Sequence, residues 1–326
     1  MIHGDDRRAA LERWLAIELR GARFVLAPAS EDASFRRYFR ATLDDGASFV
    51  IMDAPPGKED CRPFVHVARL LHDAGVHAPE VHSADLAAGF LLLSDLGTRT
   101  YLAELNADNA DALMRDATDA LVRWQLATRP DELPPYDEAL LRRELNLFPE
   151  WYVGRYRGKQ LTTAQAQALE QIFAILVHSA LAQPTVYVHR DYMPRNLMVS
   201  EPNPGVLDFQ DAVIGPISYD IVCLMRDAFI SWDEERVLDW SVRYWERARA
   251  ARLPVPAEFA EFWRAFEWMG LQRHLKVLGI FARIKYRDGK PRYLEDTPRF
   301  LRYARAVAQR YRDLAPLARL LEEIEA

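Results

Sequence analysis

Two stretches constrain the fold more than any other part of the sequence: VYVHRDYMPRN at residues 186–196 and GVLDFQD at residues 205–211. Each opens with a short run of β-type residues, and an aspartate follows each run, Asp191 in the first and Asp208 in the second. Asn196 lies five residues after Asp191 and twelve before Asp208. The pattern predicts a strand, a polar loop and a second strand that carry these three side chains.

These residue types are the ones that phosphoryl transfer from ATP requires. In H-R-D-x-x-x-x-N, the aspartate accepts the proton of the acceptor hydroxyl and orients that hydroxyl. The asparagine and a later strand-borne aspartate hold magnesium against the β- and γ-phosphates. We therefore predict Asp191 as the catalytic residue, Asn196 and Asp208 as metal ligands, and ATP and Mg²⁺ as cofactors. The alternative interpretation is a polar loop with a surface salt bridge.

Composition excludes several other classes of protein. Of the 326 residues, 50% are hydrophobic and 28% are charged, which is ordinary for a globular protein. The net charge of −6 argues against a general nucleic-acid binder, and no apolar run is long enough to span a membrane. Two cysteines cannot form a disulfide framework, and the N-terminus does not resemble a signal peptide. We expect a cytoplasmic monomer that binds neither nucleic acid nor membrane.

The hydrophobic pattern changes near residue 95. Before it, the sequence predicts three strands, one helix and two more strands; after it, mainly helices, the last over residues 296–322. The predicted fold class is α+β, a protein-kinase-like bilobed fold. Residues 1–95 would form a small antiparallel β N-lobe with one helix that binds nucleotide. Residues 96–326 would form the larger, mainly helical lobe that carries the catalytic and acceptor-binding residues, with the nucleotide in the crevice between the lobes.

The phosphate-binding parts of a protein kinase are missing. No G-x-G occurs anywhere in the chain, and the loop from Ser30 to Ser34 takes the place of the glycine-rich loop. Hydroxyls and backbone amides of a serine loop can cradle phosphates, although the loop taken alone would be interpreted as an ordinary turn. The third strand carries Met52 where a kinase has lysine, and the next helix lacks the glutamate that would pair with that lysine.

Other residues would then have to contact the nucleotide. Arg37 lies on an otherwise apolar strand face and is our first candidate for neutralising phosphate, with Lys58 second; Arg37 could instead pair with an acid at the sheet edge. Residues 91–97 would connect the lobes, so we predict main-chain contacts to adenine at Ser94 and Leu96 and a role near the ribose for Asp95.

VHRDYMPRN followed by LDFQDAVIGPISYDI resembles the aminoglycoside phosphotransferase and choline kinase superfamily. The pattern of that superfamily is roughly H-G-D-x-x-x-x-N, then h-I-D, then G-x-x-x-x-D-h-A. This chain departs from it with Arg190 in place of the glycine and with Gln210 and Asp211 after the metal aspartate. We expect Arg190 to brace the loop, and Asp220 to cap a helix and hold the catalytic loop in place.

Four other segments resemble the bacterial anomeric kinases of peptidoglycan recycling: SFRRYFR, VIMDAPPGKEDCRPF, NLFPEWY and QRHLKVLGIFARIKYRDGKPRYLEDTPRF. This resemblance implies an ATP-dependent kinase that phosphorylates N-acetylmuramate and N-acetylglucosamine at the anomeric hydroxyl and gives the sugar 1-phosphate. It also accounts for Met52, because the third strand of that family reads similarly.

Four residues are candidates for binding the amino sugar. Arg273 belongs to a cationic stripe that could face the lactyl carboxylate of N-acetylmuramate, or could be a solvated surface. His274 beside it could equally be a core histidine. Glu150 and Trp151, predicted in a short loop between helices, could bind sugar hydroxyls and a sugar face, or could be a surface acid and a core tryptophan.

Two alternatives to an amino-sugar kinase stay open. The same fold could phosphorylate another small hydroxyl acceptor, namely choline, ethanolamine, homoserine or an aminoglycoside. The missing lysine also allows a pseudokinase that binds nucleotide and acts as an interaction module.

Overall fold

The computed structural model describes residues 4–31 and 35–325. The chain forms two compact units, which we call the first and the second unit. The first contains residues 1–104 and 196–211, and the second contains residues 105–195 and 212–326. Among the described residues, no helix is both long and apolar enough to cross a membrane.

Among its described residues, the first unit combines a five-stranded antiparallel sheet, a separate two-stranded hairpin and three α-helices. The elements, numbered in chain order over both units, are α1 (Gly4–Glu18), β1 (Phe24–Glu31), β2 (Arg37–Leu43), β3 (Ser48–Asp53), α2 (Arg62–Asp73), β4 (Val81–Asp85), β5 (Phe90–Ser94), α3 (Tyr101–Glu104), β7 (Leu197–Met198) and β8 (Gly205–Val206). The strand order of the sheet is β1-β2-β3-β5-β4, and β7 pairs with β8 in the hairpin.

Helix α1 packs on this sheet through its apolar stripe. Leu11 and Leu15 are fully buried against Phe39, Ile51 and Leu92, which lie on β2, β3 and β5. Side chains three or four positions apart lie on one face of a helix, and alternate residues of a strand lie on one face of a sheet. The alternation of apolar residues predicted these strands from the sequence.

The second unit is mainly helical. Its elements are α4 (Ala110–Leu126), α5 (Glu138–Leu145), a π-helix (Phe148–Tyr156), α6 (Thr163–Leu181), β6 (Thr185–Val188), β9 (Val213–Pro216), α7 (Tyr219–Met225), α8 (Glu234–Ala250), α9 (Phe259–Asp288), α10 (Thr297–Arg310) and α11 (Ala315–Glu325). Strands β6 and β9 pair antiparallel. The antiparallel sheet of the first unit and the helices of the second confirm the predicted α+β class. That residues 1–95 bind nucleotide as a lobe of their own stays a prediction.

Two segments differ from the sequence-based prediction. Residues 148–156, expected as a loop around Glu150 and Trp151, form the π-helix, because Phe148, Tyr152 and Val153 are buried and hold the widened turns in place. The single helix expected over residues 296–322 is two helices. Tyr311 is extended (φ −111°, ψ 124°) and separates α10 from α11.

Gly279 of α9 lies where this long helix closely approaches the backbone at Leu147. A Cβ at this position would overlap the carbonyl carbon and oxygen of Leu147, which immediately precedes the π-helix. A Cβ at Gly270, on the same helix, would make ordinary contacts at 3.5 Å with His274 and Val222. Of these two glycines of α9, Gly279 is therefore the one that close packing requires.

We expect Gly279→Ala to lower the free energy of unfolding by about 1–3 kcal/mol, because a rigid backbone carbonyl cannot yield to the added methyl group. The matched control Gly270→Ala should be neutral or stabilising by up to about 1 kcal/mol, since alanine favours a helix interior. Urea denaturation of both variants measures the difference. Equal stability of the two variants would contradict the predicted close packing of α9.

Candidate functional site

The two predicted metal ligands lie together in the first unit, at one end of the β7–β8 hairpin. Asn196 immediately precedes β7, and Asp208 is two residues beyond β8. The Leu207 amide donates to the Asn196 carbonyl at 2.9 Å, and Asn196 Nδ2 donates to Asp208 Oδ2 at 3.4 Å. The hairpin thus brings into hydrogen-bonding distance two side chains that are twelve residues apart in the sequence.

The backbone at Asp208 has an unusual conformation. Its φ is +63°, in the left-handed region that aspartate adopts more readily than most other residues. The next residue, Phe209, is fully buried and packs on Phe64 of α2 with ring centroids 4.6 Å apart. The buried ring fixes the chain, so that Asp208 stays partly exposed with 39% of its side chain accessible.

The groups around Asp208 suit a hard cation. Gln210 Nε2 donates to Asp208 Oδ1 at 3.0 Å and to Asp211 Oδ2 at 3.3 Å, whereas the buried Gln210 Oε1 accepts no hydrogen bond. Carboxylate and amide oxygens are the ligands that Mg²⁺ prefers, and Mg²⁺ commonly uses one or two carboxylates with water and phosphate oxygens. The residues present therefore fit a magnesium ion, which Asn196 and Asp208 would hold. Among residues 4–31 and 35–325, no cluster of three histidine, cysteine or acidic side chains has the geometry of a metal site.

Arg36 is a neighbour of Asp208 that the sequence-based reasoning missed. Its Nη2 lies 3.6 Å from Asp208 Oδ1, and only 10% of its side chain is exposed. The alternation of β2 had directed attention to Arg37 and not to the residue before the strand. The alternation places the two arginines on opposite faces of the strand, but it does not show which of them lies near Asp208.

The two candidate cations for phosphate have other partners in the first unit. Arg37 forms an ion pair with the fully buried Asp53, which also binds Arg7. This is the sheet-edge pairing that the sequence left open for Arg37. The ammonium of Lys58 lies 5.1 Å from the centre of the Phe35 ring. Their roles toward phosphate stay predictions.

The predicted adenine and ribose contacts lie at the end of β5 and just beyond it. The Ser94 hydroxyl accepts from the Glu80 amide at 2.8 Å, and the Ser94 amide donates to the Glu80 carbonyl at 3.0 Å. Asp95 accepts from Arg40 with both carboxylate oxygens, at 2.5 and 3.0 Å, and Leu96 is half-buried. Ser34 and the Ser30 side chain lie outside the described part of the chain. Binding of nucleotide by these five candidate residues stays a prediction.

Asp191 lies in the second unit, beyond β6, on a loop whose backbone is anchored. The buried Asp220 accepts hydrogen bonds from the amides of His189 and Arg190 at 2.6 and 2.9 Å. Burial raises the pKa of Asp220 to about 7 against these two donors. Asp220 lies in the first turn of α7 and not at its cap, which is Ser218. The expectation that Asp220 holds the loop is confirmed, but the expectation that it caps the helix is wrong.

The contacts of Arg190 explain how this chain accommodates an arginine where the superfamily pattern has a glycine. Its φ is +74°, a conformation that glycine adopts without strain and that costs an ordinary residue about 1–2 kcal/mol. Arg190 Nη2 lies 2.7 Å from Glu144 Oε1 of α5, and the Cys223 thiol donates to the Arg190 carbonyl at 3.4 Å. The ion pair offsets the backbone strain and braces the loop, as the sequence predicted for this arginine.

Glu144 is the centre of a buried charge cluster in the second unit. Lys276 Nζ of α9 lies 2.8 Å from Glu144 Oε1 and 3.0 Å from the Tyr219 hydroxyl, and the Tyr136 hydroxyl donates to Glu144 Oε2. Burial alone would raise the pKa of Glu144, but the charges of Lys276 and Arg190 outweigh it and lower the pKa to about 2. The carboxylate is therefore ionised at neutral pH. The sequence-based reasoning missed Glu144. The signal that could have found it is Arg190, since an arginine in the place of a glycine indicates an acidic partner elsewhere in the chain.

The predicted acceptor residues lie on α9 and the π-helix. Arg273 is buried, and its Nη1 lies 3.4 Å from the Arg226 carbonyl. Burial alone would lower the pKa of Arg273, but nearby thiol and acidic groups, including Asp191, raise it. Glu150 is exposed, and Trp151 is half-buried. Arg273 thus belongs to the surroundings of Asp191 and is not part of a solvated face.

His274 has the surroundings of a core histidine. It is 1% exposed, between Phe300 and Tyr303, whose ring centroids lie at 5.5 and 5.1 Å. Neither ring nitrogen has a hydrogen-bond partner, and burial with the charges of Arg273 and Arg226 lowers its pKa well below the ordinary value. The imidazole is therefore neutral. Contact of these four residues with an acceptor stays a prediction.

We expect Glu144→Gln to lower the free energy of unfolding at pH 7 by about 3–5 kcal/mol, because it leaves two cations without their counter-charge. The lowered pKa of Glu144 means that its stabilisation is present above pH 4.5, the ordinary value, and is lost as the pH falls toward 2. The difference between wild type and variant should therefore shrink below pH 4.5. Urea denaturation at pH 7 and in acid measures it.

Glu138→Gln is the matched control on the same helix. Glu138 pairs with Arg142 at the surface, where 58% of its side chain is exposed, so the loss should be at most about 1 kcal/mol. If Glu144→Gln were no less stable than this control, the proposed charge cluster would be refuted.

Two proteins of similar sequence share one name. The chain is 60% identical to an N-acetylmuramate/N-acetylglucosamine kinase of Pseudomonas putida, over 92% of this chain and 88% of that protein. It is 52% identical to a protein of the same name from Neisseria meningitidis, over 98% and 96% of the two chains.

Solved structures show the fold. The streptomycin–ATP complex of APH(2″)-IIa matches with a TM-score of 0.61 at 16% identity, over 93% of this chain and 97% of that chain. Choline kinase LicA from Streptococcus pneumoniae matches with a TM-score of 0.65 at 11% identity, over 91% and 99%. These matches confirm the protein-kinase-like fold. The model of the phosphotransferase enzyme family matches residues 25–262. The chain is a phosphotransferase and belongs to this family.

Proposed function

We propose that this protein transfers the γ-phosphate of ATP, with magnesium, to the anomeric hydroxyl of N-acetylmuramate and N-acetylglucosamine and gives the sugar 1-phosphate. The observation that carries the proposal is the 60% identity, over nearly the whole chain, with a kinase named for these two sugars. The H-R-D-x-x-x-x-N loop supports it, since Asp191 has an anchored backbone and Asn196 lies beside Asp208.

In this proposal Asp191 acts on the acceptor. Its carboxylate accepts a hydrogen bond from the anomeric hydroxyl and takes the proton as the oxygen bonds to the γ-phosphorus and the bond from that phosphorus to ADP breaks. A carboxylate fixed in position makes the attacking oxygen available in a single orientation, which is the main contribution a protein can make to this reaction. The two amide hydrogen bonds to Asp220 hold the backbone for this purpose.

Asn196 and Asp208 would hold magnesium, and the ion, when bound, would neutralise charge on the β- and γ-phosphates. Residues 1–95 would bind the nucleotide, with main-chain contacts from Ser94 and Leu96. Arg273, Glu150 and Trp151 would bind the amino sugar, and Arg273 would contribute positive charge toward the lactyl carboxylate of N-acetylmuramate. The burial of Arg273 supports this role, because a cation removed from water attracts a carboxylate more strongly.

Acceptor-dependent ADP formation tests the proposal. We expect turnover with N-acetylmuramate and N-acetylglucosamine, and none with the 1-O-methyl glycoside of N-acetylglucosamine, because its anomeric oxygen carries no proton and cannot accept a phosphoryl group. The methyl glycoside differs from N-acetylglucosamine only by the methyl group on the anomeric oxygen. The rest of the sugar ring is unchanged, so its binding is preserved.

The remaining outcomes distinguish the alternatives. Turnover of the methyl glycoside would show that another hydroxyl is phosphorylated. Turnover confined to choline, ethanolamine, homoserine or an aminoglycoside would replace the acceptor but keep the chemistry. Tight nucleotide binding without turnover of any acceptor would favour an interaction module.

A further inference from the structure

The loop that carries Asp191 also carries an arginine to which no role has been given. Arg195 lies four residues after Asp191, on a short 3-10 helix (Pro194–Asn196) of the second unit, and its side chain is exposed. The Met193 amide donates to the Asp191 carbonyl at 2.9 Å and turns the chain between them. The Cα atoms of Asp191 and Arg195 are therefore less than about 14 Å apart, the length of four extended residues.

An aromatic side chain of the same unit holds the guanidinium of Arg195. The central carbon of that guanidinium lies 4.9 Å from the centre of the Phe229 ring, within the range of a cation–π contact. The backbone at Phe229 is fixed by the buried Asp227, which accepts hydrogen bonds from the amides of Phe229 and Ile230 at 2.6 and 3.0 Å. Arg195 thus lies over a ring whose backbone is anchored.

A second cation lies beside Arg195. Burial alone would raise the pKa of Tyr293, but hydrogen bonds from Arg292 and Arg195 to its hydroxyl outweigh burial and lower the pKa. Within residues 4–31 and 35–325, neither arginine forms an ion pair with an acidic side chain. Two like charges that converge on one hydroxyl repel each other, and an anion bound between them would remove this repulsion.

We propose that Arg195, with Arg292 beside it, binds the carboxylate of the lactyl group of N-acetylmuramate. This inference rests on the proposed function, because it takes N-acetylmuramate as an acceptor. A guanidinium presents two parallel donors that match the two oxygens of a carboxylate. The ring of Phe229 offers an apolar surface to the methyl group of the same lactyl substituent. N-acetylglucosamine has no lactyl group, so Arg195 determines the preference between the two sugars.

Arg273 is less suited to this direct contact. Its side chain is 3% exposed, and its Nη1 lies 3.4 Å from the Arg226 carbonyl. Arg273 therefore acts on the acceptor through its charge. Arg195 is exposed, so it can bind a carboxylate from solution without any rearrangement of a buried ion pair. In the free enzyme its charge is solvated, which is far less costly than a buried charge without a partner.

The values of kcat/KM for the two sugars test the proposal. We expect Arg195→Met to lower kcat/KM for N-acetylmuramate about 10- to 100-fold, the range for a lost hydrogen bond to a charged group, and to leave that for N-acetylglucosamine near wild type. Arg195→Lys should recover part of the loss, since it keeps the charge but not the fork of donors. The control Arg243→Met removes an exposed arginine that pairs with Asp239 on α8, and should change neither value.

The methyl ester of N-acetylmuramate shows whether Arg195 acts on the carboxylate itself. In the wild-type enzyme, the ester should lose as much kcat/KM as the acid loses in Arg195→Met. In the variant, acid and ester should react alike, because the partner of the carboxylate is gone. If the ester is disfavoured equally in both enzymes, another residue binds the carboxylate and the proposal is overturned. Equal losses for the two sugars in Arg195→Met, with or without weaker ADP binding, would also overturn it.

Failure of this inference is distinguishable from failure of the proposed function. Turnover of the two sugars by the wild-type enzyme tests the function and does not involve the variant. A wild-type enzyme that phosphorylates both sugars, together with an Arg195→Met variant that keeps the wild-type ratio of their kcat/KM values, refutes the role of Arg195 alone. A wild-type enzyme that phosphorylates neither sugar refutes the proposed function.

Discussion

The ion pair between Arg190 and Glu144 is the interaction on which the proposed catalytic loop depends. It joins a residue with a strained left-handed backbone to a buried carboxylate that also neutralises Lys276. A buried carboxylate is stable only with such partners, and the partners are stable only with the carboxylate. Asp191 follows directly in the chain, so an arrangement that fixes Arg190 also limits the positions that Asp191 can take.

The first unit relies on a different kind of interaction around Asp208. Arg36 Nη2 lies 3.6 Å from Asp208 Oδ1, and the Asp208 carboxylate is partly exposed, whereas Arg190 and Lys276 lie 2.7 and 2.8 Å from the buried Glu144. A structural ion pair should be short and buried, whereas a binding residue must release its partners when ligand arrives. The contrast between Glu144 and Asp208 supports the proposal that Glu144 holds the fold and that Asp208 binds a metal ion.

Local patterns predicted much of this structure from the sequence, and long-range pairing accounts for the rest. The strands around Phe39 and Ile51, and the short strands that precede Asp191 and Asp208, follow from short-range rules. The partners of Arg190 and Arg36 lie 46 and 172 residues away, and no periodicity encodes them. The π-helix was missed for the same reason, because buried side chains and not local propensity determine its widened turns.

The central claim is that Asp191 orients the acceptor and has no part in holding the nucleotide. Turnover and ADP affinity of Asp191→Ala, measured beside the surface variant Asp239→Ala, test it most directly. The account predicts that turnover falls by a factor of at least about 100, while ADP affinity stays near that of wild type, and that the control changes neither. Unchanged turnover, or a loss of ADP binding equal to the loss of turnover, would contradict the claim.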